Sequence, residues 1–201
     1  MEQQMQIRTR NYTADKRKDI LRAAFSLICQ KGLKHTSITD ITEKAGVSVG
    51  TLYKYYPNKK AVFIAAYDMW SGELFKHALD VWKNFDTPFA LRGFIEASLD
   101  AAVKDHLFPK KAHDEIWEMI YSDEDFRKKY NQCMLRSVDT ALPVLAKLGF
   151  SSKNIREKLH FIITMTDIYA HEVAYHDTDG LEYSNIRETL VDVISNILHK
   201  G

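Results

Sequence analysis

Apolar residues recur every three or four positions along almost the whole chain, and no stretch alternates with a period of two. In residues 14–33, ADKRKDILRAAFSLICQKGL, the positions Ile20, Leu21, Ala24, Phe25, Leu27 and Ile28 mark one buried helical face. Gly32 is suited to end that helix. The next segment, SITDITEKAG, opens with Ser37 and Asp40 at the spacing of a capping box, with Asp in place of the usual Glu or Gln. Its inward positions are Ile38, Ile41 and Ala45, and Gly46 closes it. A helix of about two turns is marginal alone, so packing must hold it. A third short helix starts after Ser48 and stops before Pro57, because the residue ahead of a proline avoids helical backbone.

Asn58 is placed to cap a long fourth helix over residues 59–85. Thr87 and Pro88 predict the start of a fifth, running to about His106. Further helices are expected near 110–121, from Ser122 to about Leu148, from Ser152 to about His176, and from Tyr183 to His199. Pro143 should kink its helix. The expectation is an all-α fold of about nine helices.

Two of these later helices are apolar on more than one side. In residues 154–176, Ile155, Leu159, Ile162, Thr166, Tyr169 and Val173 line one face, and Phe161, Met165, Ile168 and Tyr175 form a second stripe. The last helix adds Ile186, Leu190, Val193, Ile194, Ile197 and Leu198. Helices apolar on two sides are buried on two sides, by internal packing or by a second copy of the chain.

Charge divides the chain where the pattern does not. The net charge is +1, yet residues 1–60 hold 12 Lys and Arg against 5 Asp and Glu, and residues 61–201 hold 16 against 22. A basic head on an acidic body points to a polyanionic partner for the head. Accordingly we expect a basic, polyanion-binding domain over 1–60 and a second domain over 61–201. The longest apolar run, AVFIAAY, is seven residues, far short of a membrane span, and the N-terminus lacks the apolar core of a secretion signal. A cytoplasmic protein with no membrane partner is expected. Cys29 and Cys133 have neither CxxC nor metal-ligand neighbours.

The head also concentrates its chemistry. Tyr53, Lys54, Tyr55, Tyr56, Lys59 and Lys60 fall within eight positions. Three short helices with a tight turn at Gly46 form a helix-turn-helix, whose second helix offers its N-terminal residues to base edges in the major groove. Here those residues are Ser48, Val49, Gly50 and Thr51. Gly50 costs a helix about 1 kcal/mol relative to alanine, and it lets a backbone approach a duplex closely. Tyr53, Lys54 and Tyr55 suit phosphate oxygens, while Leu52 and Tyr56, four apart, belong to the core. Lys59 and Lys60 open a helix, where the macrodipole disfavours cations and a docked phosphate would compensate.

Residues 18–63 resemble the DNA-binding domain of the TetR family of bacterial transcriptional regulators. The apolar first helix, TSITDI, AGVS, GTLYKYY and NK occur in order at the family's spacing. Tyr56 and Ile28 stand where Phe is common, and Val49 where many relatives carry a polar or basic residue. Val49 is suited instead to a thymine methyl. The resemblance implies an all-α homodimer, a C-terminal ligand-binding domain, and a four-helix dimer interface built from the last two long helices. It further implies a small-molecule effector that alters affinity for double-stranded operator DNA, with repression the expected outcome.

For the effector, the aromatics Tyr67, Trp70, Trp117 and Tyr121 are candidates, and Asp167 with His171 one turn later is the sharper signal. A carboxylate among apolar neighbours needs a partner: a histidine, a basic side chain or a ligand cation. Two other readings compete. One is a DNA-binding dimer with no small-molecule input. The other is a metal-dependent hydrolase using His171, Glu172 and His176, but five residues turn a helix well past a full circle, so those histidines do not converge. No catalytic triad, phosphate loop or dinucleotide fingerprint occurs in the sequence. Neither enzyme activity nor a cofactor or metal is expected.

Overall fold

The computed structural model describes residues 2–82, 91–106, 109–175 and 180–199, with side chains described from residue 15 to residue 198. All regular structure among these residues is α-helical: α1 (Glu2–Lys31), α2 (Ile38–Ala45), α3 (Val49–Tyr55), α4 (Lys59–Trp82), α5 (Leu91–Asp105), α6 (Lys110–Ser122), α7 (Glu124–Lys147), α8 (Ile155–Tyr175) and α9 (Tyr183–His199). The start expected at Thr87 and Pro88 lies outside the described residues. Pro143 lies inside α7, which continues to Lys147.

The helix ends follow local chemistry. Ser37 caps α2 in a complete capping box with Asp40, and Gly46 ends it in the left-handed region at φ 63°. Asn58 Oδ1 accepts from Ala61 N at 2.9 Å and caps α4. Gly149, at φ 85°, ends α7, with Phe150 N donating back to Leu145 O at 2.9 Å. Asn154 has φ 64°, a conformation no helix interior accommodates, so α8 starts at Ile155 rather than Ser152. At the other end of the chain α1 reaches back to Glu2, well before the apolar stripe begins at Ile20. Residues 2–13 are rich in helix formers but show no apolar stripe in the sequence, which is what periodicity detects.

Two compact units divide the described residues. The first takes in residues 2–71 and 109–130, the second 72–106 and 131–199. The boundary expected at residue 60 followed charge and motif; grouping by contact instead runs on into α4 and brings α6 back to the N-terminal helices.

In the first unit, Ile20, Ala24 and Ile28 of α1 are buried along with Ile41, Leu52, Val62, Phe63 and Ala66, each no more than 3% exposed. Ala112, Ile116 and Ile120 of α6 and Phe126 of α7 are buried in the same unit. The second unit packs Leu91, Phe94, Ile95 and Leu99 of α5 with Val138 and Ala141 of α7, Leu159 and Tyr169 of α8, and Val191 and Ile194 of α9. Trp82 joins this core from α4: its ring lies 5.5 Å from that of Phe94, and its indole N–H donates to Ser98 Oγ at 2.8 Å. Leu159 and Tyr169 come from the first stripe of the sequence, with Ile155, Ile162 and Val173 packed against them. Phe161 and Ile168 of the second stripe are exposed, at 55% and 58%.

Candidate nucleic-acid interface

The turn between α2 and α3 is short because Gly46 reverses the chain at once, and Val47 N then bonds back to Thr42 O at 3.0 Å. Ser48 follows in extended backbone, and its Oγ accepts from Thr51 N at 3.1 Å, which starts α3. The Ser48 and Thr51 hydroxyls also lie 2.8 Å apart. Their hydrogen-bonding capacity is therefore partly spent within the cap, and each hydroxyl keeps capacity for an outside partner.

Beyond the cap, α3 splits into two faces. Leu52 is fully buried and Tyr56 is 5% exposed, as their spacing required. Ser48, Gly50 and Lys54 are exposed, with Val49 at 42% and Tyr53 at 49%. A Cβ added at Gly50 would meet nothing closer than Ser48 Oγ at 3.9 Å. Neither its backbone nor its neighbours therefore require glycine. Tyr55 is only partly exposed, because the Arg17 guanidinium from α1 sits 5.9 Å from both the Tyr55 and Tyr56 rings.

The two lysines that open α4 differ. Lys60 reaches Asp123 at 3.0 Å and Asp125 at 2.6 Å. Its charge has a counterion in the protein, which corrects the expectation that both lysines stand uncompensated. Lys59 has no carboxylate partner among the described residues; its ammonium lies 5.2 Å from the Phe63 ring. Burial lowers its pKa, opposed by the charges of Asp40 and Glu115. Asp40 itself is held well below the usual carboxylate range, first by Lys31 at 2.7 Å and then by Ser37.

A family profile described as "Bacterial regulatory proteins, tetR family" matches residues 20–66. The HTH-type transcriptional regulator YvdT of Bacillus subtilis, itself uncharacterised, is 41% identical over 112 residues. That alignment covers 55% of this chain and 53% of the relative, so the chain spans about half the relative's length. A TetR-family transcriptional regulator from Streptomyces coelicolor superposes with a TM-score of 0.63 at 15% identity, over 92% of this chain and 95% of that one. Residues 20–66 therefore resemble the DNA-binding region of TetR-family regulators, and the fold is shared over most of the chain. A further neighbour, from Saccharomonospora viridis and solved in complex with choline, gives 0.64 at 18% identity over 90% and 96%.

The remaining candidates from the sequence divide between the two units. Tyr67, Trp70, Trp117 and Tyr121 belong to the first. Tyr67 packs 5.3 Å from Phe126, and Trp70 stacks on Phe25 at 5.1 Å. Trp117 donates from Nε1 to His113 Nε2 at 2.6 Å and stacks on Tyr121, which is 80% exposed. Asp167 and His171 belong to the second unit. There Asp167 Oδ1 lies 3.4 Å from His106 Nε2, a residue that carried no signal in the sequence. Burial pushes the Asp167 carboxyl above its ordinary range, against the opposing charges of His106 and His171. Tyr175 completes the group: its hydroxyl donates to His106 O at 3.3 Å and its ring meets His171 edge-on at 5.1 Å.

His176, named in the hydrolase reading, lies outside the described residues. Among the described residues no three His, Cys, Asp or Glu side chains gather as a metal site would require. None of the described helices is long and apolar enough to cross a membrane.

Proposed function

We propose that this chain is a homodimeric, DNA-binding transcriptional regulator that represses by occupying its operator and is released by a small molecule. The observation that carries the reading is Gly50. It stands on the open face of a helix that gains nothing from glycine, between a hydroxyl cap and a tyrosine–lysine rim. Close approach of a duplex supplies the reason. In this reading Ser48, Val49, Gly50 and Thr51 face base edges, and Tyr53, Lys54, Tyr55 and Lys59 face phosphates. Two copies of α3 would enter successive major grooves about 34 Å apart.

The effector is proposed to bind in the second unit beside Asp167 and His171. A half-buried carboxylate among apolar helices favours a cationic ligand, and choline in a protein of the same fold makes organic cations the first class to try. A ligand preferring the released form by about 100-fold supplies about 2.7 kcal/mol of coupling.

Selection of duplex fragments from a random pool tests the DNA part: recovery of a two-fold sequence is expected, and Gly50→Glu should abolish its capture. If Gly50→Glu binds the selected site as the unaltered protein does, the orientation of α3 is wrong. Operator release by none of a panel of organic cations would remove the cationic effector.

A further inference from the structure

One face of α6 closes on the end of α1. Lys111, Glu115 and Glu118, spaced four and three apart, lie on a single side of that helix. Lys111 Nζ donates to the last α1 carbonyl, Lys31 O, at 3.4 Å. Glu118 pairs with Lys34 Nζ at 2.8 Å. Between them Glu115, 9% exposed, accepts from the backbone amides of both Leu33 and Lys34 through the same carboxylate oxygen.

Those two amides directly follow Gly32, where the chain leaves α1 at φ 87°. A Cβ at Gly32 would lie 2.6 Å from Glu115 Oε1, so the glycine admits the carboxylate as well as the turn. The end of a helix is the negative pole of its dipole, and a carboxylate there works against α1 itself. Helix stability does not explain the placement. Leu33 is 8% exposed, and a buried amide without an acceptor is costly.

From this oxygen an unbroken series of bonds reaches the reading helices. Thr36, 1% exposed, donates from its hydroxyl to Gly32 O at 2.7 Å and from its amide to Leu33 O at 3.3 Å. Ser37 then caps α2, Asp40 of that cap pairs with Lys31, and α2 passes through Gly46 into α3. We propose that Glu115 is a positioning residue for DNA reading: by holding the α1–α2 turn it sets where α2, and through it α3, sits on the duplex. The proposal rests on the DNA-binding reading above.

The test measures affinity for the selected operator and for an unrelated duplex, each across salt, in the unaltered protein and three variants. Glu115→Gln keeps an oxygen able to accept both amides; Glu115→Asp is too short to reach them, and Glu115→Ala removes the acceptor. The Asp and Ala variants should lose operator affinity about tenfold or more, with affinity for unrelated duplex within about twofold. The Gln variant should stay within about threefold on both. A folded Asp or Ala variant with an unchanged operator-to-unrelated ratio overturns the proposal, as does equal loss on both duplexes. If Glu115→Ala does not fold, Glu115→Asp decides by the same ratio. Should the unaltered protein bind no duplex, the DNA reading falls and this role with it; protection of the Leu33 and Lys34 amides from exchange would then establish the clamp as structural alone.

Discussion

The ammonium of Lys60 lies 3.0 Å from Asp123 Oδ2, while Oδ1 of the same carboxylate accepts from the Asp125 and Phe126 amides at 3.0 and 3.1 Å. Asp123 therefore caps α7 with one oxygen and holds the first turn of α4 with the other. Lys60→Ala should lower the melting temperature of the protein and leave the salt dependence of DNA binding unchanged. Lys59→Ala should do the reverse, reducing the slope of log affinity against log salt by about one. Equal slope changes in the two variants would show that Lys60 leaves Asp123 for phosphate.

Strong acid should destabilise the first unit. Lys31 and Ser37 hold Asp40 below its ordinary range, and Lys60 does the same to Asp123. A carboxyl depressed in the folded state contributes stability above its unfolded pKa and loses it as pH falls through the folded value. The loss thus begins below about pH 4. Asp40→Asn should flatten the acid limb of melting temperature against pH, with little change in its slope above pH 5. An unaltered acid limb would assign the acid sensitivity to other carboxyls.

The Tyr56 hydroxyl is buried without a hydrogen-bond partner among the described residues. Such a group costs about 1–3 kcal/mol in desolvation. Tyr56→Phe keeps the ring under Arg17 and should leave stability equal or raise it by up to about 1 kcal/mol, measured by denaturant unfolding. A clear loss would reveal a partner for the hydroxyl.

Phe161 and Ile168 stand seven residues apart on α8, both more than half exposed, and Val193 of α9 is 38% exposed. Apolar side chains at helical spacing on the surface suit a second copy of the chain. Phe161→Glu with Ile168→Glu should convert a dimer to a monomer in sedimentation, with helix content retained. A double variant that still sediments as a dimer would place the interface elsewhere.

Much of the α-helical framework could be read from local pattern. Ile20, Ala24 and Ile28 repeat at helical spacing, and the Ser37–Asp40 box and Gly46 are bonded within a few residues of themselves. Such features need only neighbours in the chain, so a sequence displays them. Two misjudgements have the same origin. Residues 2–13 join α1 without an apolar stripe to announce it, and Asn154 delays α8 through a backbone angle that its residue type permits but does not compel.

By itself the sequence determined most of the helices, several of their caps, the sorting of α3 into a buried and an open face, and the resemblance of residues 18–63 to TetR-family DNA-binding domains. Only the tertiary structure decided which charges are answered. Lys60 meets Asp123 from 63 positions away, Leu33 meets Glu115 from 82, and Asp167 of α8 meets His106, just past the end of α5. A charge in a sequence does not state its counterion, because ion pairs act through distance in space, and that distance exists only once the helices have packed.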